Sequence, residues 1–266
     1  MGGVLMLSAT AWAQAPAAGD TYKPTVGQQG KDAVWVPTSA ALVEKMLDMA
    51  KITPKDFVMD LGSGDGRNII AAAKRGVPGL GVEYNEDLVA YSKRMAAEAG
   101  VSDKASFVQG DMYAADISKA SVLALFLLPA NLEKLVPKFL DLKPGSRIVV
   151  NTFWVDGWEP DETETLTEGC ENWCTAKLFI IPAKAEGKWK VPNGVLSLTQ
   201  TYQMVEGTFS PDDGGGPVPV KGRLRGERLT LQVGDTEYEG RIHGDSIEGS
   251  ARGSTDGNLI KGSRMQ

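Results

Sequence analysis

A glycine-rich segment that begins with an aspartate stands where a small ligand could be held. Residues 60–66 read DLGSGDG, between an apolar run and an amphipathic segment. Glycines in a strand-to-helix turn let the backbone approach a ligand, and the free N–H groups at the helix start can bind it. The dinucleotide pattern G-x-G-x-x-G is not matched, because Arg67 stands where its third glycine should be. The candidate binding residues here are Asp60, Gly62, Ser63, Gly64 and Gly66.

Acidic residues after three successive predicted strands narrow the class of ligand. Asp60, two positions before the first glycine, suits a cationic ammonium group better than a pyrophosphate. Glu83 is placed to accept hydrogen bonds from both hydroxyls of a ribose. Asp111 could accept the amino group of adenine while Met112 packs on the ring. S-adenosylmethionine (SAM) has an amino-acid tail, a sulfonium and an adenosine but no phosphate, so this pattern predicts SAM as the cofactor.

Alternating strand-like and helix-like segments would position these residues. Short apolar runs that suit buried parallel strands alternate with amphipathic runs, two of which end at a glycine. This alternation predicts a doubly wound α/β sheet. Predicted strands cover residues 57–61, 80–83, 107–108, 122–126 and 148–153, and predicted helices cover residues 39–50, 67–75, 85–99 and 132–140.

The last third of the chain has a different periodicity. From about residue 195, apolar and polar residues alternate in short segments that are separated by glycine-containing turns. The segment that starts at Gly222 recurs at Gly240, an offset of 18 residues, which is about two strands with their turns. The pattern predicts a second, all-β domain over residues 195–266, either a β-meander or a small barrel.

The first residues resemble a secretory signal peptide. Residues 4–7 are apolar and two overlapping A-x-A patterns follow at 11–13 and 13–15, although no Lys or Arg precedes Lys23. We therefore predict a signal peptide over residues 1–15, a linker over 16–34 and a periplasmic or secreted protein. The alternative is an Ala-rich N-terminus on a cytoplasmic protein. Cys170 and Cys174 are the only thiols, and an oxidising compartment would allow them to pair.

Composition excludes several functions. The chain has 266 residues and a formal net charge of −6, which argues against a nucleic-acid binder that relies on phosphate neutralisation. Two cysteines and one histidine cannot supply a four-ligand Cys/His zinc site, and no metal is expected. His243 lies in a glycine-rich stretch far from any candidate nucleophile, which argues against a histidine-based triad. No apolar run approaches the length of a membrane span.

Residues 36–153 resemble the class I SAM-dependent methyltransferases. Within them the text is most similar to the mitochondrial-type protein-lysine methyltransferases that act on the adenine-nucleotide translocase and on ATP synthase. The shared text is VPT at 36–38, DLGSGDGR at 60–67, AAAKRG at 71–76 and GVEYN at 81–85. The non-SET histone-lysine methyltransferases are more distantly similar, and their threonine loop, which touches the cofactor, corresponds to Thr38.

The resemblance implies a seven-stranded Rossmann-like sheet whose last strand is antiparallel, with residues 176–181 and 188–191 as the final hairpin. The methyltransferase domain would span residues 35–194. The cofactor-binding residues implied by the motifs and the resemblance are Thr38, Asp60, Gly62, Ser63, Gly64, Gly66, Glu83, Tyr84, Asp111, Met112 and Leu128.

The expected reaction is methyl transfer from SAM to an amine, foremost a protein lysine. The alternatives are a small-molecule methyltransferase and a non-catalytic SAM-binding protein whose β domain binds a surface or polymer. No catalytic residue or oligomeric state is assigned. Candidate pocket-wall residues follow the fifth strand, and their other interpretation is a surface loop that is anchored by aromatic packing. They are Phe153, Trp154 and Trp158, with Asp156 and Glu159 among them.

Overall fold

The computed structural model describes residues 22–252 and 259–265. The predicted signal peptide over residues 1–15 and the first part of the predicted linker lie outside the described residues. The strands of the described residues form two sheets: an open sheet of seven strands and a closed barrel. The predicted combination of an α/β sheet with an all-β C-terminal domain is therefore confirmed.

Helices cover both faces of the seven-stranded sheet. One apolar cluster joins Val58 and Val122 to the helices on one face, and another joins Met59 and Leu123 to the helix on the opposite face. Because successive strand residues point to opposite faces, these alternating positions produce the doubly wound architecture. The strands are β1 (Val58–Leu61), β2 (Gly79–Glu83), β3 (Ala105–Gln109), β4 (Val122–Leu125), β5 (Arg147–Asn151), β6 (Glu162–Thr165) and β7 (Thr175–Ile180). The helices are α1 (Ala40–Met49), α2 (Arg67–Lys74), α3 (Glu86–Glu98) and α4 (Pro129–Leu140).

The strand order of this sheet is β3-β2-β1-β4-β5-β7-β6. The first five strands are parallel, and β7 runs antiparallel to both β5 and β6. The order reverses between β1 and β4, and ligands bind at the carboxyl ends of strands at such a switch point. The final hairpin is made by β6 and β7, so the expectation that residues 188–191 contribute to it is wrong. Those residues pair with strands of the barrel instead.

Eight antiparallel strands close the barrel. They are β8 (Gly187–Val191), β9 (Gly194–Thr201), β10 (Met204–Pro211), β11 (Val218–Arg225), β12 (Arg228–Val233), β13 (Thr236–His243), β14 (Ser246–Ala251) and β15 (Leu259–Arg264). The barrel thus begins at Gly187, before the predicted boundary at residue 195. Inward-pointing side chains such as Trp189, Leu198, Val205 and Leu231 fill its interior.

The barrel packs against the segment that follows β5. The rings of Trp158 and Tyr202 stack with their centroids 4.7 Å apart. Gln203 Nε2 donates to the carbonyl oxygen of Glu159 at 2.7 Å, and Arg223 forms an ion pair with Asp161 at 3.2 Å. Aromatic stacking, a partly buried hydrogen bond and an ion pair therefore join the barrel to the sheet domain. Among the described residues, no helix has the length and apolar character to cross a membrane.

Candidate functional site

A cavity of about 280 Å³ opens at the carboxyl ends of β1, β2 and β4. This lies close to the lower end of the volume range of small-molecule sites. Of the residues predicted to bind the cofactor, the cavity is lined by Gly62, Glu83, Tyr84, Asp111, Met112 and Leu128. The structure thus brings residues from several separate strand ends to one site.

The glycine loop needs glycine for two reasons. Gly62, Gly64 and Gly66 all have positive φ, at 70°, 54° and 78°, a region that other residues rarely adopt. Close packing adds a second constraint, because a Cβ on Gly66 would come within 2.6 Å of the Phe107 ring, and one on Gly64 would collide with Trp35. The loop therefore turns sharply from β1 into α2, with Gly62 in the cavity wall.

Glu83 is the carboxylate best placed to hold a ligand. One of its oxygens accepts a hydrogen bond from the Gly64 backbone N–H, and the other accepts one from the Asn85 N–H, each at 2.9 Å. A carboxylate offers about four acceptor positions, so two remain for other donors. Glu83 also lines the cavity. The two hydroxyls of a ribose are donors that fit this arrangement.

Asp60 has a different environment from the one its sequence position predicts. The side chain is buried and accepts a hydrogen bond from Asn68 Nδ2 at 3.0 Å, which ties the end of β1 to the first turn of α2. Burial raises the pKa of Asp60 well above its ordinary value; the hydrogen bond from Asn68 opposes this shift, while the charges of Glu83 and Asp65 add to it. Burial thus makes the charged form of this carboxyl group more costly than it is in water, and the group is not among those that line the cavity.

Asp111 is held by Lys31, which lies 80 positions away in the sequence. Lys31 Nζ lies 2.8 Å from Asp111 Oδ2, and the Tyr113 N–H donates to Oδ1 at 2.8 Å. The hydrogen bond from Lys31, supported by the one from Tyr113, lowers the pKa of Asp111. Lys31 also lies over the exposed ring of Tyr84, 4.7 Å from its centroid. The adenine end of the predicted site therefore carries a cation.

Residues 22–36, here named the N-terminal strap, form one wall of the cavity. The strap turns back on itself at a bridge between Gln29 and Val34, and residues 28–36 line the site. Its start is fixed by an edge-to-face contact between Tyr22 and Tyr91. The composition up to residue 34, in which Ala, Gly, Pro and Gln dominate without periodicity, predicts a linker, whereas residues 28–36 line the cavity. The available signal was Trp35, directly before the shared VPT text.

The remaining predicted residues lie behind the cavity wall. Thr38 is buried, with its hydroxyl accepting a hydrogen bond from Asn151 Nδ2 at 3.2 Å. Ser63 is buried next to Gly81, and the backbone N–H of Gly66 donates to its carbonyl oxygen at 2.9 Å. Thr38, Asp60, Ser63, Gly64 and Gly66 are therefore placed to shape the loop, and their role as direct ligand contacts stays a prediction.

An aromatic group closes the other end of the cavity. Phe126 follows β4, Phe153 follows β5, and their rings stack with centroids 6.0 Å apart. Trp173 lies 6.0 Å from Phe126 and lines the same cavity. The chain forms a disulfide between Cys170 and Cys174, directly beside this tryptophan. Neither Phe126 nor Trp173 is among the predicted site residues, since Phe126 is indistinguishable from a core residue at the end of a predicted strand and Trp173 is a lone aromatic in a loop.

Two of the predicted pocket-wall aromatics belong to the core. Trp154 and Trp158 are buried, and Trp154 stacks on Phe179 with ring centroids 3.9 Å apart. They hold the segment after β5 between the sheet and the barrel, so of the two interpretations aromatic packing is the one that holds for them, and they do not line the cavity. Phe153 does line it, whereas Asp156 and Glu159 are not among the lining residues.

A methyltransferase family model matches this chain, and so do curated relatives that are named as lysine methyltransferases. The family model of the ANTKMT methyltransferase domain matches residues 60–162. A protein-lysine N-methyltransferase of Saccharolobus islandicus is 40% identical over 150 residues, which are 55% of this chain and 92% of the relative. A lysine N-methyltransferase of Mus musculus that is named for ATP synthase is 37% identical over 130 residues, 48% of this chain, and the chain spans about half, 52%, of that relative.

A solved structure supports the same fold. It is described as an RNA methyltransferase from Salinibacter ruber in complex with S-adenosyl-L-homocysteine. It is 41% identical, has a TM-score of 0.51, and the match covers 56% of this chain and 95% of that one.

Proposed function

The chain belongs to the family of class I SAM-dependent protein-lysine methyltransferases, and on this premise we propose that it methylates the ε-amino group of a lysine in a protein. The resemblance predicted from the sequence motifs is confirmed, and SAM is the cofactor. The single observation on the structure that carries the proposal is Glu83. This carboxylate lines the cavity at the switch point and has acceptor positions free for a ribose.

The residues present fit SAM. Glu83 would hold the ribose, Met112 and Tyr84 would flank the adenine, and Gly62 would let the methionine part approach the backbone. A Cβ on Gly62 would stand 3.3 Å from a methyl group of Leu127, so glycine keeps this part of the cavity open. When bound, SAM supplies an electrophilic methyl group on a sulfonium.

The protein's own contribution is positioning and exclusion of water. In-line methyl transfer needs the acceptor nitrogen aligned with the methyl carbon, and a closed site can supply much of the required rate. The end of the cavity opposite Asp111 is lined by Phe126, Leu127 and Phe153. An apolar wall disfavours an ammonium ion, so it lowers the pKa of an entering lysine and favours the neutral amine that attacks.

A protein lysine is the acceptor that the relatives support best. Two relatives from Mus musculus are named for ATP synthase and for the adenine nucleotide translocase. The net charge of −6 suits a cationic protein substrate and opposes nucleic acid. RNA remains the second candidate, because the solved relative from Salinibacter ruber is described as an RNA methyltransferase. Small-molecule methylation and non-catalytic SAM binding are the further alternatives.

Label transfer tests the proposal. The protein is incubated with heavy-methyl SAM and, in separate reactions, with a protein extract, total RNA and a small-metabolite pool from the producing host. We expect label on lysine residues of a protein, and a rate that rises with pH above neutrality because a free lysine has a pKa of about 10.4. Glu83→Ala should abolish most of the transfer, and Glu86→Ala, an exposed acid at the start of α3, should not.

Each other result selects an alternative. Label confined to RNA or to small metabolites would replace protein lysine as the acceptor. Calorimetric SAM binding without label in any pool would favour a non-catalytic SAM-binding protein.

We also propose that the protein is exported to the periplasm or secreted. The A-x-A patterns at 11–15 support this, and so does the bond between Cys170 and Cys174, since disulfides persist in oxidising compartments. SAM is made in the cytosol, so an exported enzyme would need a separate supply. Mass spectrometry of the protein from its host decides the matter: we expect a mature chain beginning at residue 14 or 16 in the envelope fraction, and an intact Met1 in the cytosol would contradict export.

A further inference from the structure

We propose that Trp173, in the loop closed by the Cys170–Cys174 disulfide, is the outer wall of the channel that admits the acceptor lysine. The inference rests on the proposed function and names the residue that selects its substrate. The two ends of the cavity have different chemistry. Glu83, Tyr84 and Asp111 occupy one end, and Phe126, Phe153 and Trp173 occupy the other. With the ribose at Glu83, the aromatic end is the side left for the acceptor.

Trp173 differs from the other aromatic residues of this group in its exposure. Its side chain is 43% exposed, although it lines the cavity and lies 6.0 Å from the Phe126 ring. Leu128 and Val34, at 44% and 52% exposure, line the same cavity. Together the three residues leave an apolar rim around the entrance. At this exposed entrance a lysine side chain would lay its methylene stem along apolar surface and pass its ammonium group over the face of Trp173, before desolvation at the inner wall favours the neutral amine.

The backbone at Trp173 is held in an uncommon conformation. Its φ of 53° lies in the left-handed region, which a bulky side chain rarely adopts. Strained residues persist where the surroundings over-determine them, and they concentrate at functional sites. Here Cys174 is fixed on one side by the disulfide and on the other by β7, with its carbonyl oxygen accepting the Leu166 N–H at 2.9 Å. The disulfide therefore holds the indole of Trp173 at the entrance of the cavity.

Binding is tested with 5-fluorotryptophan-labelled full-length protein by fluorine NMR. The signal of Trp173 is assigned with Trp173→Phe, and S-adenosylhomocysteine is added first. The probe is N-acetyl-lysine amide, and the control is N-acetyl-norleucine amide, which has the same stem without the amine. We expect the Trp173 signal to shift with the lysine probe, and to shift at least twofold less with norleucine. An unmoved Trp173 signal, or equal shifts with both probes, would overturn the inference.

Kinetics provide the second readout, with a histone mixture as a lysine-rich protein substrate. Trp173→Ala should raise KM for the protein about two- to thirty-fold, the range that corresponds to a lost cation–π contact, with SAM affinity unchanged. Trp173→Phe should recover most of this loss. Met204→Ala, a change at an exposed apolar residue of the barrel, is the control and should have no effect. An unchanged KM for Trp173→Ala would contradict the assignment.

Replacing both cysteines by serine distinguishes the contribution of the disulfide-closed loop from that of the Trp173 indole. The Cys170→Ser/Cys174→Ser variant keeps Trp173 but frees its backbone, so KM should rise by less than in Trp173→Ala. A wild-type KM in this variant would show that the disulfide does not position the indole. If the wild-type protein fails to bind S-adenosylhomocysteine by calorimetry, the proposed function itself fails, and the inference fails with it.

Discussion

The sheet domain and the barrel use their interiors in opposite ways. The sheet keeps a cavity of about 280 Å³ where its strand order reverses, and residues from several strand ends line it. The barrel fills its interior with Trp189 and the side chains around it, and the pocket found among its described residues has a volume of about 10 Å³, roughly one water molecule. An open parallel sheet leaves a crevice at its switch point, whereas a small closed barrel packs solid. Ligand chemistry therefore belongs to the sheet domain.

The largest loss of stability is expected from a change in the barrel core, and it tests whether the barrel and the sheet domain have separate roles. Trp189 is fully buried, and its indole N–H donates to the carbonyl oxygen of Ala185 at 2.8 Å. Trp189→Ala should destabilise the barrel by about 3–5 kcal/mol, the usual cost of truncating a buried aromatic. Urea unfolding followed by near-ultraviolet circular dichroism measures the loss. Met204→Ala, on the barrel surface, is the control.

The same variant should retain its affinity for SAM, because Trp189 lies in the barrel interior and is not among the residues that line the cavity. Calorimetry on Trp189→Ala checks this. If SAM affinity falls in step with stability, the two regions unfold as one cooperative unit and the separation of roles is wrong.

The next effect concerns the cavity. Glu83→Ala should weaken SAM binding by about 1.5–3 kcal/mol, the cost of losing hydrogen bonds to a charged acceptor. Barrel stability should be unaffected. Glu86→Ala serves as the control, since that side chain is exposed and does not line the cavity. Equal affinities for Glu83→Ala and the wild-type protein would show that the ribose does not lie at Glu83.

The smallest effect on SAM binding is expected at Asp60. Its raised pKa means that the folded protein binds the proton more tightly than the unfolded chain does, so its contribution to stability is complete below about pH 4 and is lost as pH rises through the folded pKa. The amide of an asparagine cannot become charged. Asp60→Asn should therefore match the wild-type protein at about pH 4 and become more stable than it at higher pH, measured by urea unfolding across the range. A tenfold loss of SAM affinity would instead place the carboxylate on the ligand.

Short-range patterns predicted the sheet domain well. An apolar run that ends in glycines located β1, and an acid at each of the next two strand ends located Glu83 and Asp111 in the cavity wall. Such features are local, because strand, turn and helix start lie close together in the chain. The fold class is confirmed for the same reason: periodicity reports on both the parallel sheet and the antiparallel barrel.

Contacts between residues far apart in the sequence are the part of the fold and of the site that the sequence does not predict. Lys31 meets Asp111 across 80 positions, and β8 enters the barrel because it pairs with β15 as well as with β9. Neither pairing leaves a periodic signal in the partner segments, so the strap was assigned to a linker and residues 188–191 to the sheet. Burial can also change the charge that a residue type would carry in water, and the sequence does not report burial at a single position. Asp60 is expected to meet a cationic ammonium group as a carboxylate, yet desolvation raises its pKa and so favours the neutral form over the charged one.

The pairing of β8 with β15 sets the order in which the molecule can be completed during synthesis. Every strand of the sheet leaves the ribosome before β8 does, so that domain has all of its partners early. The barrel stays open, with one edge of β8 unpaired, until the last strand, β15, has been made. Unpaired edges recruit other chains, and domains form in order from the N-terminal side. A chain whose synthesis stops between residues 201 and 259 would therefore contain the complete sheet domain with its cofactor site, joined to an open β-sheet whose unpaired edges favour aggregation.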